Sequence, residues 1–446
     1  MTTYTKDQIL ELTRAHNVQF IDMQFSDICG SLKAVTIPVS KLADALEHYC
    51  WFDGSSIEGF TRIFESDMYL KPDLSTFAIL PWTKNTNKVT ARFICDVYMP
   101  DGSRFEGDPR YVLEKQVKRA EALGYTYYVG PELEFFLFKP GDNQSFKTDP
   151  HDVGGYFDQT LDLAADLRKE MTFALQAMDI DVEALHHEVA VGQHEIDFKY
   201  GTAIKTADNA ITFRHVLKEL AFRHGLQATF MPKPIGGING SGMHVHQSIF
   251  SGSSNLFFDA NDSYKLSKMA KSFIAGQMQH IKALNAILNP LVNSYKRLVV
   301  GYEAPVNVAW ASRNRSALIR IPRTTAGRES ATRVELRCPD PSANPYLTFA
   351  VMLAAGLDGI EKDMQPPAPV EENIYDFNND ELTKRQIGSV AANLEDALNH
   401  LAENSVIRAA LGEHTYESFD RLKRSEWDSY RMHVTDWEKE NYLPLY

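Results

Sequence analysis

Residues 127–138 read Y-Y-V-G-P-E-L-E-F-F-L-F, and their alternation constrains the fold more than any other stretch of the chain. At a strand's period of two, Glu132 and Glu134 share one face while Leu133 and Phe135 take the other. An exposed sheet edge would account for one such strand, but three further segments repeat the arrangement. Residues 243–248 place His244, His246 and Ser248 on one face, and residues 332–337 do the same with Arg333, Glu335 and Arg337. Segments 183–188 and 192–197, disposed about a turn, add Glu188, Glu195 and Asp197. The pattern predicts strands whose polar sides converge where a core would otherwise be.

Glu132, Glu134, Glu188, Glu195, Glu335 and His244 form a set of carboxylates with a single imidazole. Oxygen donors with few nitrogens suit hard divalent ions, Mg²⁺ or Mn²⁺, better than structural zinc. Converging like charges are prohibitive in a fold unless cations neutralise them. Two ions shared among six ligands is the economical arrangement, and two-ion sites serve phosphoryl chemistry. The bland alternative is four solvated strand faces.

Charge sharpens the reading. The 446-residue chain carries 46 Lys and Arg against 59 Asp and Glu, a net charge of −13, which speaks against a nucleic-acid or anionic-membrane partner. Residues 296–337 run against that total. They hold Lys296 and eight arginines (297, 313, 315, 320, 323, 328, 333, 337) against Glu303, Glu329 and Glu335, a local surplus of six. Arginine forks grip carboxylate and phosphate in pairs, so this segment reads as an anion clamp for two substrates. A solvated basic face or an RNA-binding strip is the alternative. Glu335 in its middle, and strand-like Leu318, Ile319 and Ile321, favour the clamp.

Length suggests two or three domains. Thr5 is the expected N-cap of a first helix over residues 5–16, followed by strand-like runs at 18–23 and 34–37 and a β-rich stretch at 74–97. Pro109 opens an amphipathic helix. The boundary is placed between 1–105 and 106–446, and the chain from Leu394 onward reads as helical. Residues 1–10 are polar, with no secretory leader, and the most apolar stretch, 346–357, is too short for a bilayer span. Cys29, Cys50, Cys95 and Cys338 form no C-x-x-C pair and read as reduced, buried thiols of a cytoplasmic protein. Phosphate-loop, G-x-G-x-x-G, H-E-x-x-H and G-x-S-x-G motifs are absent.

The ordered segments resemble type I glutamine synthetase across essentially the whole chain. They are D-G-S-S-I (53–57), G-P-E-L-E-F-F-L-F (130–138), H-H-E-V-A (186–190), G-Q-H-E-I-D (192–197), A-T-F-M-P-K-P (228–234) and N-G-S-G-M-H-V-H (239–246). They continue with N-S-Y-K-R-L (293–298), G-Y-E-A-P (301–305), N-R-S-A (314–317), R-V-E-L-R (333–337) and N-P-Y-L (344–347). The resemblance implies an α+β chain: an N-terminal β-grasp domain and a catalytic domain with a curved antiparallel sheet flanked by helices. It also implies a homododecamer of two hexameric rings with active sites shared between subunits, and ATP-dependent ligation of ammonium to L-glutamate through γ-glutamyl phosphate.

Carried over residue by residue, Glu134, Glu188 and Glu195 hold one metal, and Glu132, His244 and Glu335 the other. ATP meets Glu183, Tyr200, His246, Ser248, Arg315, Arg320 and Arg333. Glutamate meets Asn239, Gly240, Arg297, Glu303, Arg315 and Arg337. Asp53, Glu303 and Arg315 are the catalytic set, with Glu303 on a closing flap and Asp53 supplied by the adjacent subunit to deprotonate ammonium. Arg62 matches the arginine that mediates glutamine feedback in the short, non-adenylylated subtype, and Tyr375 stands where another subtype is modified. Small regulatory proteins are further partners in such enzymes. The loop at 322–331 lacks the lysine some members use near ATP, and Arg323 or Arg328 stands in for it. Rival readings are a γ-glutamyl-amine ligase on the same scaffold, a non-catalytic structural relative and an RNA-binding protein.

Overall fold

The computed structural model describes residues 4–55, 57, 59, 67–141, 148–302 and 304–446. Among the described residues the two largest hydrophobic cores each lie beneath a sheet of their own.

Helix α1 (Lys6–Ala15) begins at a capping box in which Thr5 and Gln8 exchange hydrogen bonds. The first sheet contains β1 (Phe20–Ser26), β2 (Leu32–Pro38), β3 (Cys50–Asp53), β4 (Asp67–Pro72), β5 (Ala78–Ile79) and β6 (Thr90–Tyr98), in the order β2-β1-β6-β4-β3 with β5 on β6. Alternation in β1 sends Ile21, Met23 and Phe25 into a core with Phe93, Val97 and Leu70, which α2 (Leu42–His48) closes with Leu42 and Leu46. β1 and β6 run parallel, and the other pairs in this sheet are antiparallel. The strand-rich stretch expected from residue 74 starts earlier, at Asp67. Residues 74–76 form a 3-10 turn because Asp73 accepts the Ser75 N–H and halts the ladder.

Asp108 caps α3 (Pro109–Ala122), whose proline stands where no N–H is required. The second, ten-stranded sheet follows, from β7 (Thr126–Phe138), β8 (Val182–His187), β9 (Gln193–Phe198), β10 (Gly201–Thr202), β11 (Gln227–Thr229), β12 (Met243–Ser251), β13 (Ser254–Asn255), β14 (Asn307–Ala311), β15 (Ala317–Arg320) and β16 (Val334–Leu336). Its main path is β14-β15-β16-β12-β7-β9-β8, antiparallel except for the β14–β15 pair. β7 joins the two halves, its first part pairing with β12 and its second with β9 and β11.

The apolar face, with Leu133, Phe135, Ile196, Val245, Ile319 and Leu336, packs into the larger core. α4 (Ala165–Gln176), α5 (Ala203–Arg223), α6 (Lys268–Leu288), α7 (Ser294–Arg297) and α8 (Pro345–Glu361) accompany this sheet. α8, the most apolar helix, is a core element buried along nearly its full length. α9 (Asn379–Lys384), α10 (Leu394–Glu403), α11 (Ser405–Leu411), α12 (Glu413–Arg431) and α13 (Asp436–Tyr442) end the chain. Among the described residues no helix is long and apolar enough to cross a membrane. None of the four cysteines is in a disulfide. Cys29 is half-buried rather than buried, since it lies on the turn between β1 and β2.

Candidate active site

The ladders set the polar residues in cross-strand rows. Arg320 of β15 lies opposite Glu335 of β16, which lies opposite His246 of β12. His244 is opposite Glu132 of β7, and two residues along β7 Glu134 is opposite Glu195 of β9, itself opposite His186 of β8. Four strands and a hairpin thus bring together acids that are up to about two hundred residues apart in the chain.

Glu132, His244 and Glu335 converge in one half. His244 Nδ1 lies 3.3 Å from Glu132 Oε2 and 3.9 Å from Glu335 Oε1. Arg333 Nε donates to His246 Nδ1 at 3.2 Å, leaving Nε2 to donate to Glu132 Oε1 at 2.6 Å. Arg320 pairs with Glu335, and Arg337 Nε stands 3.3 Å from its other oxygen. Burial would raise both carboxyls, but His244 and His246 hold Glu132 well below the ordinary range. The two histidines with Arg337 and Arg320 also lower Glu335.

The other half lacks such compensation. His186 bridges Glu188 and Glu195, at 3.6 and 3.4 Å, while Gln193 Nε2 and the Gly242 N–H donate to Glu134 at 2.8 and 2.9 Å. Burial first, and then the charge of Glu188, pushes Glu134 up to about 8. Burial, and then Asp197 and Glu134, pushes Glu195 far above the ordinary range. Carboxyls this reluctant to ionise mark a place where positive charge is wanted, and their oxygens match what Mg²⁺ or Mn²⁺ takes. The donor set fits divalent metal ions.

Cavities flank the carboxylates. One of ≈ 430 Å³ is bordered by Tyr128, Glu183, Tyr200, His246, Ser248 and Arg333, with Arg328 from the 322–331 loop on its rim. A smaller one is bordered by Asn239, Gly240, Arg297, Tyr302 and Arg337 beside Glu134 and Glu188. Arg297 is fixed by bonds from its guanidinium to the carbonyls of Cys338 and Arg337. A side chain at position 240 would drive into the Pro232 carbonyl, 2.3 Å away, so only glycine brings its backbone to this cavity.

Residues 106–442 match the family model of the glutamine synthetase catalytic domain, and residues 17–100 match that of its β-grasp domain. The chain belongs to the glutamine synthetase family. It is 54% identical over 447 residues to the glutamine synthetase of Clostridium saccharobutylicum, covering 100% of each chain. It is 53% identical over 447 residues to that of Thermus thermophilus, covering 99% of this chain and 100% of the relative. Among solved structures, the ADP complex of GmaS superposes with a TM-score of 0.88 at 32% identity, over 98% of this chain and 99% of that one. The cryo-EM structure of Plasmodium falciparum glutamine synthetase shares the fold, with a TM-score of 0.89 at 24% identity and 99% coverage of both chains.

Within this family framework, not every expected residue reaches the cleft. Arg315 is exposed on the β14–β15 connection and borders neither cavity; its carbonyl accepts from Arg337. Arg320 is engaged by Glu335 rather than lining the larger cavity. Asp53 ends β3, exposed on the other sheet, where the Ser55 hydroxyl and N–H hold its carboxyl below the usual range. Glu303 and Arg62 lie outside the described residues. Conversely, the structure brings His186, Gln193 and Tyr302 to the cleft, and none of them is expected there from the sequence. The H-H-E triplet carried a signal for His186, whereas a lone amide and a lone tyrosine carry none.

Proposed function

We propose that the cleft of this glutamine synthetase-family enzyme holds two divalent cations and divides its substrates between the two cavities. Glu134, Glu188 and Glu195 would hold one cation, and Glu132, His244 and Glu335 the other. The observation that carries this reading is Glu134 standing directly opposite Glu195 with Glu188 and Asp197 close by, a grouping of acids that a cation stabilises. When bound, the ions neutralise charge on the triphosphate and on the oxygen that receives it.

The larger cavity takes ATP. The exposed ring of Tyr200, edge-on to Tyr128, offers a wall for the base, with Glu183 on the rim. His246, Ser248 and Arg333 face the phosphates. The smaller cavity takes L-glutamate. Arg297 and Arg337 receive its carboxylates, and Asn239 and Gly240 position its backbone atoms. The γ-carboxylate is a poor electrophile, so the arginines hold it where its oxygen attacks the γ-phosphorus of ATP, ADP departs and γ-glutamyl phosphate forms. Ammonium is drawn by the carboxylates of Glu303 and of Asp53 of the partner subunit. Removal of its proton by that aspartate releases the amine that displaces phosphate and gives glutamine. Arg315 has a role only if its side chain turns inward when substrate binds.

Shared sites require an oligomer. A dodecamer is supported by apolar side chains left exposed beside Asp53 (Trp51) and in the C-terminal segment (Met432, Trp437, Leu443, Leu445). Four cysteines with no disulfide among them fit the cytoplasm. Phosphate release from ATP in the presence of Mg²⁺, L-glutamate and ammonium tests the reading. The expected result is activity that requires all four and falls steeply when alkylamines or polyamines replace ammonium. Equal rates with an alkylamine would favour a γ-glutamyl-amine ligase instead.

A further inference from the structure

A second polar cluster lies behind the carboxylate face, and the proposed chemistry does not use it. Strand alternation turns His187 and His194 away from the cleft that Glu188 and Glu195 enter. The two histidines are opposite each other in the β8–β9 ladder, their rings nearly perpendicular with centroids 4.7 Å apart. Both are buried, together with Asp152, Asp162 and Arg168.

Asp152 ties this layer to the turn between the strands. Its Oδ1 accepts from His187 Nε2 at 2.9 Å and from the Gly192 N–H at 3.1 Å, and its Oδ2 accepts the Leu163 N–H at 3.1 Å. The other ring nitrogen of His187 is 2.7 Å from the Glu188 carbonyl. One carboxylate therefore grips both ends of the 188–192 turn, the turn that joins the two cation-facing glutamates. Gly154 lies flush on the same imidazole, where a Cβ would come within 2.8 Å of Nε2. On the second strand, Arg168 Nη1 is 2.8 Å from His194 Nδ1 and donates to Asp162 Oδ1 at 2.9 Å, with its Nη2 bonded to Asp162 Oδ2.

Asp152, His187 and His194 bring ligand-type atoms within 4.8 Å of one another, as a metal site would. Arg168, however, already directs its guanidinium at the His194 lone pair and supplies positive charge there. The cluster reads as a brace rather than a third metal centre.

We propose that Asp152 and Arg168 are positioning residues. Through His187 and His194 they set the separation of Glu188 and Glu195, and with it the affinity of the cation those glutamates hold. This rests on the ligand assignment made above. Residues that orient metal ligands change affinity by roughly tenfold or more when removed. The test is Mn²⁺ binding to the full-length, assembled protein, followed by the electron paramagnetic resonance of free Mn²⁺, with no turnover involved. Asp152→Asn should weaken one class of Mn²⁺ site by about tenfold and leave the other within about twofold. Gly154→Ala, which displaces the His187 ring without removing a hydrogen-bonding group, should weaken the same class. If both variants bind Mn²⁺ as the parent does, or if both classes weaken equally, the brace is wrong. A parallel Glu188→Gln protein separates the two failures. If it loses one class while Asp152→Asn and Gly154→Ala do not, the brace alone falls. If Glu188→Gln itself changes nothing, the ligand assignment falls and takes the brace with it.

Discussion

Replacing Arg110 with methionine should loosen the joint between the two sheets. Arg110, in the first turn of α3, is buried, and its guanidinium meets three acids from three elements. It reaches Asp73 at 2.7 Å and Asp96 at 2.7 Å on the first sheet's side, and Asp208 of α5 at 3.0 and 3.1 Å on the other. Methionine keeps the length of the side chain and strands the charges. Removing one partner of a buried pair costs about 3–5 kcal/mol. Here Arg104 still reaches Asp96 at 3.1 Å and the Tyr346 hydroxyl still donates to Asp208 at 2.7 Å, so about 2–4 kcal/mol is expected. At roughly 2–4 °C per kcal/mol, calorimetry should show the first melting transition lowered by about 4–16 °C. Adding Asp208→Asn removes one stranded charge, so the double variant should recover about 1–2 kcal/mol relative to additive losses. Melting within about 1 °C of the parent, or strict additivity in the double variant, would refute this account of the joint.

Three further outcomes are expected, the first from the structure and the other two from the resemblance to glutamine synthetases. Burial raises Asp108 to about 6 from its ordinary 3.8, although Arg104 opposes the rise. The folded state therefore favours the protonated acid, and stability should fall as pH climbs from about 4 to 6 and then level off, by up to roughly 2–3 kcal/mol. Asp108→Asn should flatten that part of the melting-temperature profile whatever its absolute cost, and an unchanged slope would contradict the assignment. Asp53→Ala should raise the ammonium requirement far more than it slows positional isotope exchange in ATP, which reports acyl-phosphate formation; intact ammonium kinetics would contradict its role. Arg62→Ala should weaken inhibition by glutamine, and undiminished inhibition would remove Arg62 from feedback.

The parts legible in the sequence are those governed by short-range rules. Thr5 and Pro109 announce helix starts through chemistry contained in one turn, and period-two alternation exposes the polar face of β7, β12 and β16. Register is a different matter. Nothing in either segment states that Glu134 lies opposite Glu195, or Arg320 opposite Glu335, because those pairings depend on how the ladders align. The shared face was readable, and so was the need for cations, whereas the bridging place of His186 required the hairpin. Arg110 gives no hint at all in the chain: a single arginine in a helix becomes a three-way joint only when Asp73, Asp96 and Asp208 arrive from elsewhere. Arg315 illustrates the converse: its motif points to the cleft, while the residue stands exposed on the β14–β15 connection.

Whether the converging glutamates form a two-cation cleft is read out by counting bound Mn²⁺ in equilibrium dialysis. About two tightly held ions per subunit are expected, with Glu335→Gln losing one and Glu188→Gln the other. Parent protein that binds no Mn²⁺ tightly, or variants that bind as much as the parent, would contradict the two-cation reading.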